Sequence, residues 1–380
     1  MKKGTWTEIN LDNIRDNLYE LKRNLKNNTK ICCVVKADAY GHGAVEVSKM
    51  LEKDDIDHLS VARFEEAIEL RANKIKTPIL CMGYICEDDI KESLLNNITF
   101  TVYNYDMAKK INDKSNALDV VANIHLKIDT GMNRLGFLPN ENSINEIKEI
   151  SKLKNINIEG IYTHFATADE SNKTETYLQV DRFNNVLNTL KDLNIDIEIT
   201  HVSNTASTID LKELSCSMVR LGIGLYGYYP STEVSNHLTL KPALKLKTKI
   251  TNIKNVNSGT KISYGYTYEF KEDSKVATLS IGYADGFDRT QLNPVVKING
   301  TLCDVVGRIC MDQCMVKIPE YLDVNIEDEV IVMSNEDGIR VEDLAQKSGT
   351  INYEVLCSIS RRVSRHYHKD GNLFKVVSYM

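Results

Sequence analysis

Lys36 closes the run Ile31-Cys32-Cys33-Val34-Val35. A lysine that ends a buried strand is partly desolvated, which lowers its pKa and leaves its amine nucleophilic. Such an amine suits Schiff-base chemistry with an aldehyde. A lysine at a strand end also commonly just reaches for solvent, so the position alone leaves both readings open. Gly41-His42-Gly43 follows almost at once. It lacks the third glycine of a dinucleotide fingerprint and no Walker lysine comes after it, so by itself it reads as a flexible turn. A second glycine-rich segment is Arg220-Leu221-Gly222-Ile223-Gly224-Leu225-Tyr226-Gly227. Glycines there would let backbone N–H groups approach an anion such as a phosphate, or would simply allow tight packing.

These residues share a placement with Arg134, His164 and Asn204-Thr205. Each stands at or just past the end of a predicted strand. The strand candidates are Ile31–Val35, Leu59–Ala62, Ile79–Met82, Ile98–Val102, Asn123–Ile128, Ile158–Thr163, Ile197–Val202 and Ser217–Arg220. Amphipathic stretches lie between them, near Ala44–Leu51, Phe64–Ala72, Asp88–Leu95, Asp106–Ile111 and Ile144–Leu153. The stripe Tyr177, Val180, Phe183, Leu187 and Leu190 steps by three and four, as a helix face does. Eight strand–helix alternations point to an α/β fold with a (β/α)8 barrel, an open doubly wound sheet being the alternative. In a barrel the strand ends gather on one face, where active sites are built.

After about His237 the rhythm changes. Long strand-like runs (Ala243–Val256, Val276–Ile281, Val330–Met333) sit between Gly, Asn and Asp turns, with helical candidates only near Val341–Lys347 and Tyr353–Ser360. This predicts a barrel over residues 10–236 and a mainly antiparallel β domain over 237–380. The opening strand Thr5–Ile9 is expected to join the second of these.

A chain of 380 residues suits two domains, and 42% hydrophobic against 26% charged residues is a globular composition. The net charge of −6 and the lack of a basic stripe argue against a nucleic-acid partner. The start is basic but no apolar segment follows it, and no stretch is long and apolar enough to span a bilayer. A cytoplasmic address is therefore expected, with no membrane partner. The 9 cysteines are an odd count without a Cys-x-x-Cys pair, which predicts reduced thiols and no metal site.

Together the segments resemble the alanine racemase family of barrel-type pyridoxal-phosphate enzymes, nearly end to end. Val35-Lys36-Ala37-Asp38-Ala39-Tyr40-Gly41-His42-Gly43 is similar to the family's cofactor-lysine signature. His125 to Gly136, Thr163 to Asp169, Ile262-Ser263-Tyr264-Gly265, Gly282 to Gly286, Gly307 to Asp312 and Ile351-Asn352-Tyr353-Glu354 carry the rest.

The resemblance implies pyridoxal 5'-phosphate held by Lys36, which is also one catalytic base. Tyr264 of the partner subunit is implied as the opposite base, in a homodimer with shared sites. Tyr40, Thr205, Gly222, Ile223 and Tyr353 would hold the phosphate, with Asn204 beside them, and Arg220 would face the pyridine nitrogen. Arg134 would lie near the cofactor's phenolic oxygen and the substrate carboxylate, which also meets the Met311 backbone, with Asp312 in support. His164 would sit beside Tyr264 and Arg220. Tyr283 and Tyr353 would narrow the entrance, and Asp169, Arg289, Arg308 and Ile351 would line the approach. Lys127 stands where some members carry a carbamate that would pair with Arg134, the alternative being a barrel lysine paired with a carboxylate. Thr205 replaces the usual serine, and Tyr266 is bulkier than the family pattern leads one to expect.

The residue types suit racemisation. One base on each face of the α-carbon inverts it without turning the intermediate over. A tyrosine needs help in that role, since with a pKa near 10 only about one in a thousand is ionised at neutral pH. An arginine at the ring nitrogen is too basic to protonate it, which keeps the ring a weak electron sink and curbs side reactions. The implied reaction is L-alanine to D-alanine, for peptidoglycan. The alternatives are a serine or broad-specificity racemase, a barrel-type amino-acid decarboxylase, and a non-enzymatic cofactor carrier. Decarboxylases place an acidic residue where Arg220 stands, and a carrier would have no use for the second domain.

Overall fold

The computed structural model describes residues 4–214, 216–235 and 238–379. The first strand, β1 (Trp6–Asn10), precedes eight short ones: β2 (Lys30–Val34), β3 (His58–Val61), β4 (Ile79–Cys81), β5 (Ile98–Val102), β6 (Ala122–Lys127), β7 (Ile156–Tyr162), β8 (Ile199–His201) and β9 (Met218–Leu221). These eight pair in parallel in the order β8-β7-β6-β5-β4-β3-β2-β9, so the first and last in space are β8 and β9. Among the described residues no ladder joins that last pair, but the Arg220 N–H donates to Ser203 O at 2.9 Å and nearly closes the ring.

The strands are apolar because both of their faces are covered. Every residue of β3, β4, β5 and β9 is buried. Helices Ala44–Leu51, Phe64–Ala72, Ile90–Leu95, Tyr105–Leu118, Glu141–Ile150, Thr174–Asp192 and Thr205–Asp210 follow successive strands. The 3.6-residue stripe of Thr174–Asp192 buries Phe183, Val186 and Leu190. The eight-stranded α/β barrel expected from the alternation is present.

The chain divides into two compact units. One comprises Arg15–Ala39 and Ala44–Lys241, and holds the barrel. The other comprises the segment ending at Ile14, the turn Tyr40–Gly43, and the chain from Pro242 onward. The boundary expected between residues 236 and 237 falls on residues outside those described.

The second unit is built on a nine-stranded sheet. Its strands are β10 (Leu244–Val256), β13 (Ser274–Leu279), β14 (Val295–Ile298), β15 (Thr301–Asp304), β16 (Cys314–Ile318), β17 (Glu329–Met333), β18 (Ser364–Lys369) and β19 (Asn372–Val377), together with β1. A short ribbon, β11 (Lys261–Ile262) with β12 (Tyr268–Glu269), stands apart. All pairings are antiparallel except β1 with β18. β16 alternates buried and half-buried residues, as a strand covered on one face should. Two hairpins turn on dipeptides that accept positive φ, Asn299-Gly300 (47° and 83°) and Asp370-Gly371 (50° and 74°).

Candidate active site

The segment after β2 has an uncommon backbone. Ala37, Asp38, Ala39 and Tyr40 have φ of 52° to 54°, and Gly41 and Gly43 follow at 80° and 87°. Each left-handed L-residue costs roughly 1–2 kcal/mol. Such strain persists only where the surroundings over-determine it. Here Glu66 accepts from the backbone N–H groups of Ala37 (2.6 Å), Ala62 (2.8 Å) and Arg63 (3.1 Å), and Asp38 accepts from Ala44 N–H at 3.0 Å. The left-handed turn thus fixes the chain on the C-terminal side of Lys36.

Around the C-terminal ends of the other barrel strands, Arg220 is the organising group. It is buried, and its Nη1 donates to His201 Nδ1 (2.8 Å) and His201 O (3.1 Å). Nη2 donates to Thr163 O (2.8 Å), Val202 O (2.9 Å) and His164 Nδ1 (3.2 Å). Every Nη hydrogen therefore has an acceptor, while Nε–H has none among the described residues. The guanidinium also lies over the Tyr162 ring, 5.3 Å from its centroid. Burial and the Arg220 charge push the His164 pKa well below its ordinary value, so the imidazole is neutral. Because Arg220 can only donate, His164 Nδ1 holds the lone pair and Nε2 carries the hydrogen.

Two backbone turns meet at Thr205. Asn204 caps the helix Thr205–Asp210 by accepting from Ser207 N–H at 3.1 Å. Thr205 Oγ1 accepts from Gly222 N–H at 2.9 Å, joining the helix start to the turn after β9. A Cβ on Gly224 would come within 2.6 Å of the Thr205 methyl, so glycine permits this approach. Lys127 is buried, donates to Ile128 O at 2.8 Å, and has its pKa lowered to about 7, first by desolvation and then by Arg220. Arg134 is exposed on a loop tied by Asp129, whose carboxylate accepts from the N–H groups of Gly131 (3.1 Å), Asn133 (2.9 Å) and Arg134 (3.0 Å). Asp169, half-buried, takes a hydrogen bond from Ser231 Oγ on its carbonyl.

In the second unit Tyr40 is buried and packs against Tyr353, ring centroids 6.0 Å apart. Burial pushes the Tyr40 phenol far up, so it remains a hydrogen-bond donor. Tyr264 is 63% exposed on a tight turn held by Ser263, whose hydroxyl donates to Arg308 O at 2.6 Å. Tyr266 is equally exposed at a φ of 48°, and nothing it touches explains its bulk.

Tyr283 and Met311 stand on adjoining loops. Tyr283 N–H donates to Cys310 O (3.0 Å) and Ala284 N–H to Met311 O (3.1 Å). A Cβ on Gly282 would fall 2.3 Å from Met311 O, so only glycine allows this approach. Arg362 bridges both loops, pairing with Asp285 at 3.2 Å and Asp312 at 2.8 Å. Arg289, Arg308 and Ile351 are exposed.

The chain matches the family description "Alanine racemase, N-terminal domain" over residues 9–230 and "Alanine racemase, C-terminal domain" over 243–367. The chain belongs to the alanine racemase family. An alanine racemase of Methanococcus maripaludis is 48% identical over 365 residues, covering 95% of this chain and 98% of its own. The solved alanine racemase of Clostridium difficile is 50% identical with a TM-score of 0.98, both chains being wholly covered. That of Bacillus anthracis with bound L-Ala-P is 34% identical with a TM-score of 0.95, covering 100% of this chain and 98% of that one. Alanine racemases are isomerases acting on amino acids.

Within this family framework the barrel brings His164, Arg220, Tyr162 and His201 into one hydrogen-bonded and stacked cluster, and Thr205 into contact with Gly222. Sequence reasoning passed over Asp129, Glu66, His125, His201 and Arg362. The one available signal was for His125, which with Asn123 and Lys127 makes a row of polar residues at alternate positions and hence on one side of the strand.

Proposed function

We propose that this chain interconverts L- and D-alanine with pyridoxal 5'-phosphate held on Lys36, in the cytoplasm, supplying D-alanine for peptidoglycan. The observation that carries the reading is Arg220, whose Nη hydrogens are all taken while Nε–H has no acceptor among the described residues. One directed donor on a permanently charged, weakly hydrated group fits a pyridine nitrogen that is to stay unprotonated. It does not fit the decarboxylase alternative, which would need an acid at this position.

Tyr40, Thr205, Tyr353 and the backbone of Gly222 and Ile223 would hold the phosphate, with Asn204 fixing the helix start. The cofactor, when bound, supplies a sink for the electron pair left when the α-proton departs. Lys36 removes or returns that proton on one face, and Tyr264 of the partner subunit does so on the other. His164, neutral with hydrogen on Nε2, can donate to a tyrosine oxygen and favour its anionic form. Arg134 and the Met311 backbone would orient the substrate carboxylate, with Asp312 held by Arg362 behind them. Asp169, Tyr283, Arg289, Arg308 and Ile351 would line the entrance. A Lys127 amine with pKa about 7 is substantially unprotonated at neutral pH, as carbamate formation with carbon dioxide requires. The negative group so formed could pair with Arg134.

The test is a D-amino-acid assay on purified protein supplied with the cofactor and each L-amino acid in turn. D-alanine should dominate, with slower D-serine, since an apolar pocket rejects an added hydroxyl by about a hundredfold at best. Tyr353→Ala should raise the serine-to-alanine ratio. No D-alanine from the wild type overturns the reading.

A further inference from the structure

Arg220 is one end of a longer chain of hydrogen bonds. Its Nη1 lies 2.8 Å from His201 Nδ1, His201 Nε2 lies 2.8 Å from His125 Nδ1, and His125 Nε2 lies 3.1 Å from Glu159 Oε2. Arg220 is in β9, His201 in β8, His125 in β6 and Glu159 in β7, so the chain crosses the open seam between β8 and β9. Burial keeps both imidazoles neutral, and the hydrogen bond to His125, with the His58 ring close by, holds the Glu159 carboxyl far below its ordinary range.

These facts leave one arrangement of hydrogens. A guanidinium only donates, so His201 Nδ1 must accept and His201 carries its hydrogen on Nε2. That hydrogen goes to His125 Nδ1, which leaves the His125 hydrogen on Nε2, directed at Glu159. Two imidazole dipoles thus line up between a cation at one end and an anion at the other, the condition under which a buried polar network is fully satisfied.

The surroundings are shaped for this. Tyr162 stacks on His201 at 4.6 Å and 10°, with its hydroxyl held 3.0 Å from Thr101 Oγ1. A Cβ on Gly160 would fall 2.6 Å from His125 Cε1 and 2.7 Å from Nδ1, so glycine there makes room for the ring. The groups facing Glu159 from other strands are His58 Nε2 at 3.9 Å and Thr99 Oγ1 at 3.5 Å. Lys127 faces Arg220 and His201.

We propose that Glu159 and His125 are positioning residues for Arg220: the carboxylate, acting through two imidazoles of fixed tautomer, holds the guanidinium so that Nε–H is presented to the cofactor ring. The proposal rests on the reading of Arg220 as the partner of the ring nitrogen. The ligand atoms of His58, His125 and Glu159 also lie within 4.8 Å of one another, as a metal site would require. An ion there needs a lone pair on His125 Nε2. Reversing both rings to provide it would aim His201 Nδ1–H at the Arg220 N–H, so the relay excludes the ion.

The experiment uses the holoenzyme. Nitrogen-15 spectra of labelled histidine should show His125 and His201 neutral with hydrogen on Nε2. A lone pair on His125 Nε2 overturns the proposal. The second readout is the pH midpoint of the bound cofactor's visible absorbance, with Tm recorded for each variant. Glu159→Gln is isosteric but uncharged, and leaves the Arg220 charge less compensated. It should move the midpoint to lower pH by about half a unit. Gly160→Ala, which removes no polar group, should move it the same way, and Arg220→Lys should move it most. If Arg220→Lys shifts the midpoint while Glu159→Gln and Gly160→Ala lower only Tm, the relay is merely structural and the proposal fails. If Arg220→Lys also leaves it unchanged, the reading of Arg220 itself fails.

Discussion

The two units hold their candidate functional groups in opposite ways. In the barrel, Arg220 is 3% exposed and every Nη hydrogen is committed to a named acceptor. In the β unit, Tyr264 is 63% and Met311 53% exposed, and what fixes them is the backbone of the turns on which they stand. Buried polar groups must be paired, so the barrel's geometry is over-determined from within. The β unit offers tight turns carrying exposed aromatic and apolar side chains, which suits a surface that another chain covers.

The sharpest way to break that comparison is to separate the two halves genetically. If Tyr264 of one subunit serves the barrel of the other, Lys36→Ala and Tyr264→Phe homodimers should each be nearly inactive. Mixed after dissociation, they form heterodimers with one doubly mutated and one intact site. Random exchange makes about half the dimers mixed and half of their sites functional, restoring about a quarter of full activity. A site built within one chain gives no recovery at any ratio, even with heterodimers demonstrated by mass.

A smaller effect sharpens the contrast on the β side alone. Gly282→Ala would place its Cβ 2.3 Å from Met311 O and 2.4 Å from Cys310 O, both backbone atoms that cannot swing away. The loops must part, at a cost of about 1–3 kcal/mol. Because Met311 is proposed to meet the substrate carboxylate, KM for alanine should rise several-fold. The absorbance of the bound cofactor, which depends on barrel residues, should be unchanged. An altered absorbance with KM intact would show that the turn acts on the cofactor instead.

Much of this architecture was legible in the sequence, and the illegible parts have physical reasons. β-branched runs and 3.6-residue stripes located all eight barrel strands, because a strand covered on both faces must be apolar. Lys36, His164 and Arg220 stood out for ending such runs. The left-handed turn Ala37–Tyr40 was invisible because nothing in alanine, aspartate and tyrosine announces positive φ; Glu66, distant in sequence, holds it. The helix Leu11–Arg23 was missed although its apolar residues are suitably spaced. Strands β14, β15, β16, β18 and β19 escaped because polar residues interrupt their apolar runs, as Lys297 does in β14, Lys317 in β16 and Lys375 in β19. The relay through His125, His201 and Glu159 to Arg220 could not be read as a whole, since strand pairing brings β6, β7 and β8 together and only closure of the barrel adds β9.

A further test addresses the barrel's side of the comparison, where a buried group is tolerated only if its charge is dealt with. Lys127 has no anionic partner among its described hydrogen bonds, and desolvation with Arg220 nearby lowers its pKa to about 7. In the unfolded chain a lysine titrates near 10.4. Between those values the unfolded state binds a proton that the native state does not, so stability must rise with pH across this window. The slope is at most about 1.4 kcal/mol per pH unit. Below pH 7 both states hold the proton and the contribution is flat. Lys127→Met keeps an unbranched buried chain and abolishes the term. Denaturant-melt free energies of wild type and variant, measured from pH 7 to 10 without bicarbonate, should therefore converge as pH rises, with the wild type gaining on the variant. Added bicarbonate near pH 8 should then stabilise the wild type alone, since only a free amine in the folded state can be carbamylated. Parallel curves and no bicarbonate effect would mean that Lys127 keeps its proton after all, and that the barrel interior supports a full positive charge beside Arg220.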